Sequence, residues 1–141
     1  MLRFKKLTSV QFYVLSFTWG FIMTIIGLLT AGILMLAGKQ PIVNQYGWYF
    51  VIGKRNWGGL DLGMVSLVCP QYNDHLLNHE FGHAIQNCYF GPFFIFIWLA
   101  SAARYQIRGI LTKMGKSLPP YDSIWFEGQA TALGEKYKET I

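Results

Sequence analysis

A chain of 141 residues has room for one domain. Only 13% of it is charged, against ~25% in a typical soluble chain, and 52% is hydrophobic, which speaks against a freely soluble protein and for membrane attachment. The net charge of +5 is scattered over Arg3, Lys5, Lys6, Lys54, Arg55, Arg104, Arg108, Lys113 and Lys116, with no aromatic-interleaved basic stripe; this disfavours nucleic acid and fits contact with lipid headgroups.

Residues 7 to 38 carry no charge, and the apolar run Val10–Ala37 is 28 residues long. A bilayer needs ~20 apolar helical residues, so this run predicts one retained transmembrane helix with tilt. A cleaved signal peptide would have an apolar part of only ~7–15 residues and a small-residue cleavage site. Here Lys39-Gln40-Pro41 follows instead. Arg3, Lys5 and Lys6 favour a cytoplasmic N-terminal tip, although Lys39, Lys54 and Arg55 nearly balance them at the other end. The chain therefore divides at residue 38 into a tip with its span and a domain over residues 39–141.

After Gly38–Pro41, the aromatic and β-branched run Tyr46–Gly53 predicts a strand. A loop, Lys54-Arg55-Asn56-Trp57-Gly58, follows, and Gly59–Val68 is a second extended stretch. The two are expected to form a hairpin or two sheet strands. Asn73 or Asp74 then caps a helix running from about His75 to Tyr89, which Gly91-Pro92 stops. The twelve residues Pro92–Ala103 are apolar but too short to cross a bilayer alone. With Arg104 and Arg108 one turn apart behind them, they predict a short helix at the membrane interface. A loop spans Gly115–Pro120, and a last helix is expected to start near Asp122 or Ser123. Cys69 and Cys88 make no disulfide framework and are expected as free thiols in the interior.

All three histidines of the chain, His75, His79 and His83, lie four apart in that first soluble helix. His79-Glu80-Phe81-Gly82-His83 is an H-E-x-x-H motif. Residues four apart share a helix face, so two imidazoles can bind one Zn²⁺, while Glu80, about 100° round the helix, can reach a water on the ion as general base. His75 and His83 are two turns apart, ~12 Å along the axis, so three imidazoles from one helix do not converge tetrahedrally. His75 is therefore expected in a supporting role, along with Asn78 or Asp122 as acceptors for the ligands' outer nitrogens. No histidine follows His83, so the third ligand falls to a carboxylate. Glu135 and Glu139 lie among lysines and read as solvated. Glu127 sits in Trp125-Phe126-Glu127-Gly128-Gln129-Ala130, among apolar and small residues, where a lone acid needs a partner and a metal supplies one. Tyr121, Tyr137 and Arg104 are the candidate donors to an oxyanion.

These motifs resemble the gluzincin branch of zinc metallopeptidases, in which the two histidines of H-E-x-x-H and a glutamate on a later helix hold the ion. Residues 125–130 are similar to the W-x-x-E-G-x-A helix of aminopeptidase members, one residue shorter between Trp and Glu. The chain also resembles small uncharacterised bacterial membrane proteins over nearly its whole length, in the order apolar N-terminus, Asn56-Trp57-Gly58-Gly59 strands, H-E-x-G-H helix, apolar stretch and WFEGQAT helix. The resemblance implies an α+β architecture with a minimal zincin-like domain, His79, His83 and Glu127 as zinc ligands and Glu80 as base. It implies a peptide-hydrolysing enzyme of the bacterial cytoplasmic membrane, with peptide or protein substrate and membrane lipid as partners. The runner-up is a non-catalytic zinc-binding membrane protein, which a cysteine ligand closing the site would favour. Two departures stand out. Membrane gluzincins often carry an Asp four residues after the ligand Glu, where this chain has Thr131. Site-2 proteases carry a downstream L-D-G, whereas the Leu60–Gly63 segment here lies upstream.

Overall fold

The computed structural model describes residues 5–138, so Arg3 and Glu139 lie outside the described residues. The architecture is α+β. Helices α1 (Ser9–Phe17) and α2 (Phe21–Leu36) come first, then strands β1 (Ile42–Asn44), β2 (Gly47–Val51), β3 (Gly59–Leu62) and β4 (Val65–Val68). Helix α3 (Asp74–Phe90) runs through a 3₁₀ turn, Gly91–Phe93, into α4 (Phe94–Lys113). A second 3₁₀ turn, Tyr121–Ser123, leads into α5 (Trp125–Lys138).

The uncharged N-terminal run is not the one continuous helix its composition predicts. Helices α1 and α2 meet at a bend of 95°. The corner, Thr18–Gly20, is gripped by the end of α3. The Asn87 amide donates to the Gly20 carbonyl at 3.1 Å, and the Trp19 indole N–H donates to the Tyr89 carbonyl at 3.1 Å. These two bonds tie the corner to the last turn of α3. Gly20 fits because an added Cβ would stand 2.6 Å from the Asn87 amide nitrogen. Each half then follows a different surface: α1 lies on α3, and α2 lies on the β3–β4 hairpin, where a Cβ at Gly27 would come 2.2 Å from the Leu62 carbonyl.

The four strands form one sheet in the order β1-β2-β4-β3. β1 pairs antiparallel with β2 through a turn in which Gln45 takes φ 55°; the sequence reading has no strand there, since three residues give no periodicity to read. The single extended stretch expected over Gly59–Val68 folds back on itself as β3 and β4. Gly63 makes the turn at φ 75°, and the Asp61 carboxylate secures it by accepting from the Gly63 N–H (3.1 Å) and the Ser66 hydroxyl (3.0 Å). β4 inserts parallel to β2, leaving β3 at the sheet edge. Tyr49, Phe50, Val65 and Val68 pack with Phe12, Phe81 and Ile85 in the main core, and Met23, Leu62, Phe94, Ile97 and Phe126 make a second cluster.

Asn73 caps α3, accepting from the Leu76 N–H at 2.9 Å, and Gly91 ends it at φ 57°. The short interface segment expected at Pro92–Ala103 is part of a longer helix, because α4 runs on through both arginines for 20 residues. Together Asp74–Lys113 are long and apolar enough to cross a membrane, with 44% of their most apolar window buried inside the protein.

The closest packing lies between α3 and α5. A Cβ on Gly82 would fall 1.8 Å from the Ala130 carbonyl oxygen, and one on Gly134 would fall 1.9 Å from the Asn78 carbonyl oxygen. Both clashes are with backbone, so no side chain can yield. Gly82→Val and Gly134→Val are each expected to cost on the order of 3 kcal/mol of stability. Gly32→Ala is expected to change nothing or add ~0.5–1 kcal/mol, since its Cβ meets nothing within 4 Å in a helix interior. Thermal unfolding in detergent checks all three, and a Gly82→Val protein as stable as the native one would refute the close crossing.

Candidate metal centre

Helix α3 is buried on every side from Leu77 to Cys88, although half of that stretch is polar. Each of these polar groups needs a partner inside the protein. His79 and His83 share one face, as their spacing requires, with ring centroids 4.9 Å apart and planes at 87°. The close crossing at Gly82 brings the first turn of α5 against that face. Glu127, with no exposed surface, puts Oε1 3.1 Å from His83 Nε2 and Oε2 3.5 Å from His79 Nε2. One ligand atom from each of the three lies within 4.8 Å of the others.

The outer ring nitrogens show what this cluster can hold. Gln86, three residues beyond His83, donates through its amide nitrogen to the Phe126 carbonyl (2.8 Å) and to Gln129 Oε1 (3.0 Å). Its oxygen therefore faces His83 Nδ1 at 2.8 Å, and that nitrogen must be the donor. The inner nitrogen of His83 faces the carboxylate; burial alone would lower the imidazole, but the Glu127 carboxylate outweighs it and raises it to about 9. Without an ion, Nε2 shares a proton with Glu127, in the place a cation would take. His79 Nδ1 lies 2.8 Å from the Thr131 hydroxyl, which orients the ring. Glu127 Oε1 accepts from the Ser101 hydroxyl of α4 at 3.0 Å, while Oε2 is buried without a hydrogen-bond partner. Burial alone would raise the Glu127 carboxyl, but the two imidazoles outweigh it and hold it well below the usual carboxylate range. Two imidazole nitrogens and an ionised carboxylate with an orphaned oxygen are a donor set that fits a divalent cation.

Of the expected supporting residues, none carries that role. His75 is exposed at the cleft rim and Asp122 is exposed beside it. Asn78 is buried on another face of α3, accepting from the Asn44 amide at 3.4 Å. Gln86 and Thr131 do the work instead. Both were within reach of sequence reasoning, since each lies one helical turn beyond a ligand, at 83 + 3 and 127 + 4. Ser101 had no such signal, because it reaches the site from a different helix.

The three candidate oxyanion donors separate clearly. Tyr121 stands at the site, its ring centroid 6.1 Å from that of His79, and burial together with the Glu127 charge raises its phenol, so the hydroxyl stays a donor. Arg104 is a support for it: the guanidinium stacks on the Tyr121 ring at 5.0 Å and donates to the Tyr121 carbonyl. Tyr137 belongs to the main core, where its hydroxyl accepts from the Leu7 N–H at 2.6 Å and its ring packs on Phe81; the apolar spacing along α5 turns it away from Glu127. Both cysteines are free and buried, as expected. Cys69 meets Asn56 and Cys88 meets Ser16, so neither belongs to the ligand group.

Glu80 is buried beside the His79, His83 and Glu127 cluster, where its carboxylate is pressed against β3. A Cβ on Gly59 would come 2.8 Å from Glu80 Oε1, so only glycine leaves room for it. Two cavities, about 260 Å³ and about 690 Å³, meet at this carboxylate. Comparison with family models, curated proteins and solved structures found no match for this chain.

Purified protein is expected to hold about one divalent metal ion per chain and Glu127→Ala to hold none, by elemental analysis. Gln86→Ala and Thr131→Ala are each expected to weaken metal binding roughly 10–100-fold, as loss of an outer-nitrogen partner generally does. Equal metal in the native protein and Glu127→Ala would remove Glu127 from the site.

Proposed function

We propose that the protein is a zinc-dependent peptidase attached to the bacterial cytoplasmic membrane, built on a minimal zincin-like domain. The observation that carries this reading is the position of Glu80, a buried carboxylate at the junction of an open cleft and next to a two-histidine, one-glutamate cluster. Two imidazoles with one carboxylate are a typical ligand set for catalytic zinc, which keeps a fourth position open. A structural site would be closed by a fourth protein ligand, often a cysteine, and both cysteines are engaged elsewhere.

When bound, zinc supplies Lewis acidity, lowering the pKa of water and polarising a carbonyl. The chain's own residues do the rest. Glu80 accepts a proton from the attacking water and returns it to the amide nitrogen as the C–N bond breaks, leaving a carboxylate and an amine. Tyr121 donates its hydroxyl to the carbonyl oxygen as charge builds there. Gln86 and Thr131 fix the imidazoles, and Arg104 fixes the Tyr121 ring.

Edge strand β3 supports a peptide substrate. The Cys69 N–H donates to the Gly58 carbonyl, so Gly58 faces β4 and Gly59 turns its N–H and carbonyl outward into the cleft. An extended peptide can pair there as an added strand. Attachment to lipid is supported by apolar side chains left exposed on α2 (Ile22, Ile25, Leu29, Ile33) and α4 (Phe96, Leu99, Ile107, Ile110), more than a soluble monomer exposes.

Glu80→Gln is expected to keep its zinc and lose roughly 10²–10⁴-fold in hydrolysis of a mixed peptide library read by mass spectrometry. Undiminished cleavage by that variant, with zinc bound, would refute Glu80 as the base.

A further inference from the structure

The cleft is divided into two unlike compartments that share Gly59, Glu80, Tyr105, Gln106 and Tyr121. The smaller one, about 260 Å³, is walled by Leu60, Phe94, Ile97, Trp98 and Ala102. The polar groups on this wall are engaged with one another. The Trp98 indole N–H donates to the Asp61 carbonyl at 2.8 Å, and the Asp61 carboxylate is bound to Gly63 and Ser66 in the β3–β4 turn. Away from Glu80 and Gln106, the compartment therefore offers an apolar surface.

The larger compartment, about 690 Å³, is of opposite character. Arg108 and Lys113 reach it from α4 and His75 from α3, with Asp122 as an exposed acid at its wall. The Arg108 guanidinium lies over the Tyr121 ring, 5.4 Å from its centroid, which leaves its N–H edge to the cavity. Among the described residues, no carboxylate comes within 4.0 Å of Arg108 or Lys113; the ion pairs there are those of Glu127 with the two histidines. A guanidinium held in place on an aromatic face and lacking an anion suits a carboxylate ligand.

Resting on the peptidase reading, we propose that the cleft selects a peptide with a bulky apolar side chain on one side of the scissile bond and a carboxylate on the other. The apolar side chain fills the compartment at Phe94, Ile97 and Trp98. The carboxylate, from an acidic side chain or the end of the chain, meets Arg108 and Lys113. Glu80 and the metal ligands stand between them.

Binding can be separated from catalysis with the full-length Glu80→Gln protein, zinc-loaded, in phosphatidylcholine nanodiscs. The probes are fluorescent octapeptides with a central Leu-Ala step followed by Asp, Asn or Lys, each with a free or amidated C-terminus. The Asp peptide is expected to bind at least tenfold more tightly than the Lys peptide, and Arg108→Glu in the same background to reverse that order with metal content and melting temperature unchanged. If the terminal carboxylate is the one recognised, amidation produces the loss instead. Ile97→Trp, which fills the apolar compartment, is expected to weaken the Leu peptides about tenfold. Equal or absent binding across the set, or a preference untouched by Arg108→Glu, would overturn the proposal. So would equal peptide binding accompanied by loss of added phosphatidylglycerol in Arg108→Glu, which would assign the cations to lipid. Native protein that cleaves the Asp and Lys peptides equally would also sink the specificity while leaving the peptidase reading intact. Selective binding without cleavage by the native protein would do the reverse.

Discussion

The centre depends on two helices touching backbone to backbone. Helix α3 carries the histidines and α5 the glutamate, and the two cross where Gly82 meets the Ala130 carbonyl and Gly134 meets the Asn78 carbonyl. At an ordinary interaxial distance of 8–10 Å, side chains fill the space between helices. Here glycine removes them at two points, and Glu127 comes within 3.1 Å of the His83 imidazole and 3.5 Å of the His79 imidazole. Gly82 therefore serves the site from inside the motif, between the two ligands, without contributing any chemistry of its own.

That crossing also explains how a helix with six buried polar side chains can sit at the centre of the fold. A buried polar group without a partner costs roughly 1–3 kcal/mol, and a buried charge costs more. Asn78, His79, His83, Gln86 and Asn87 each find a partner on a different element: β1, α5 or the α1–α2 corner. Gln86 is the most connected, since one amide fixes the His83 tautomer and ties α3 to two points of α5. Among the described residues two buried side-chain oxygens lack a hydrogen-bond partner, Asn87 Oδ1 and Glu127 Oε2, and the second sits where a cation would complete the set.

The same polar economy reaches the apolar periphery. Asn87 and Trp19 hold the bend between α1 and α2, so the helix that carries the histidines also fixes, at its far end, a corner between two apolar helices. Exposed side chains of α2 and α4 lie outside this frame, while Arg104 and Arg108 turn inward onto Tyr121. Helix α4 thus separates an apolar outer face from a cleft wall that passes from apolar to cationic along its length.

Spacing alone determined the local chemistry: one helical turn places His79 and His83 on one face and Glu80 beside them, because that geometry belongs to the helix itself. A lone acid among apolar residues likewise marked Glu127, and Asn73 and Gly91 marked the ends of α3. What the sequence could not determine is anything that depends on a neighbour. An unbroken apolar run reads as one helix until the end of α3 holds a corner in it at Thr18–Gly20. The run 59–68 reads as one strand until Asp61 fastens a turn within it. Tyr121 and Tyr137 are equal candidates until packing sends one to the cleft and the other to the core. Tertiary structure decided these points because hydrogen-bond partners distant in sequence, and backbone contacts that only glycine permits, leave no periodic trace along the chain.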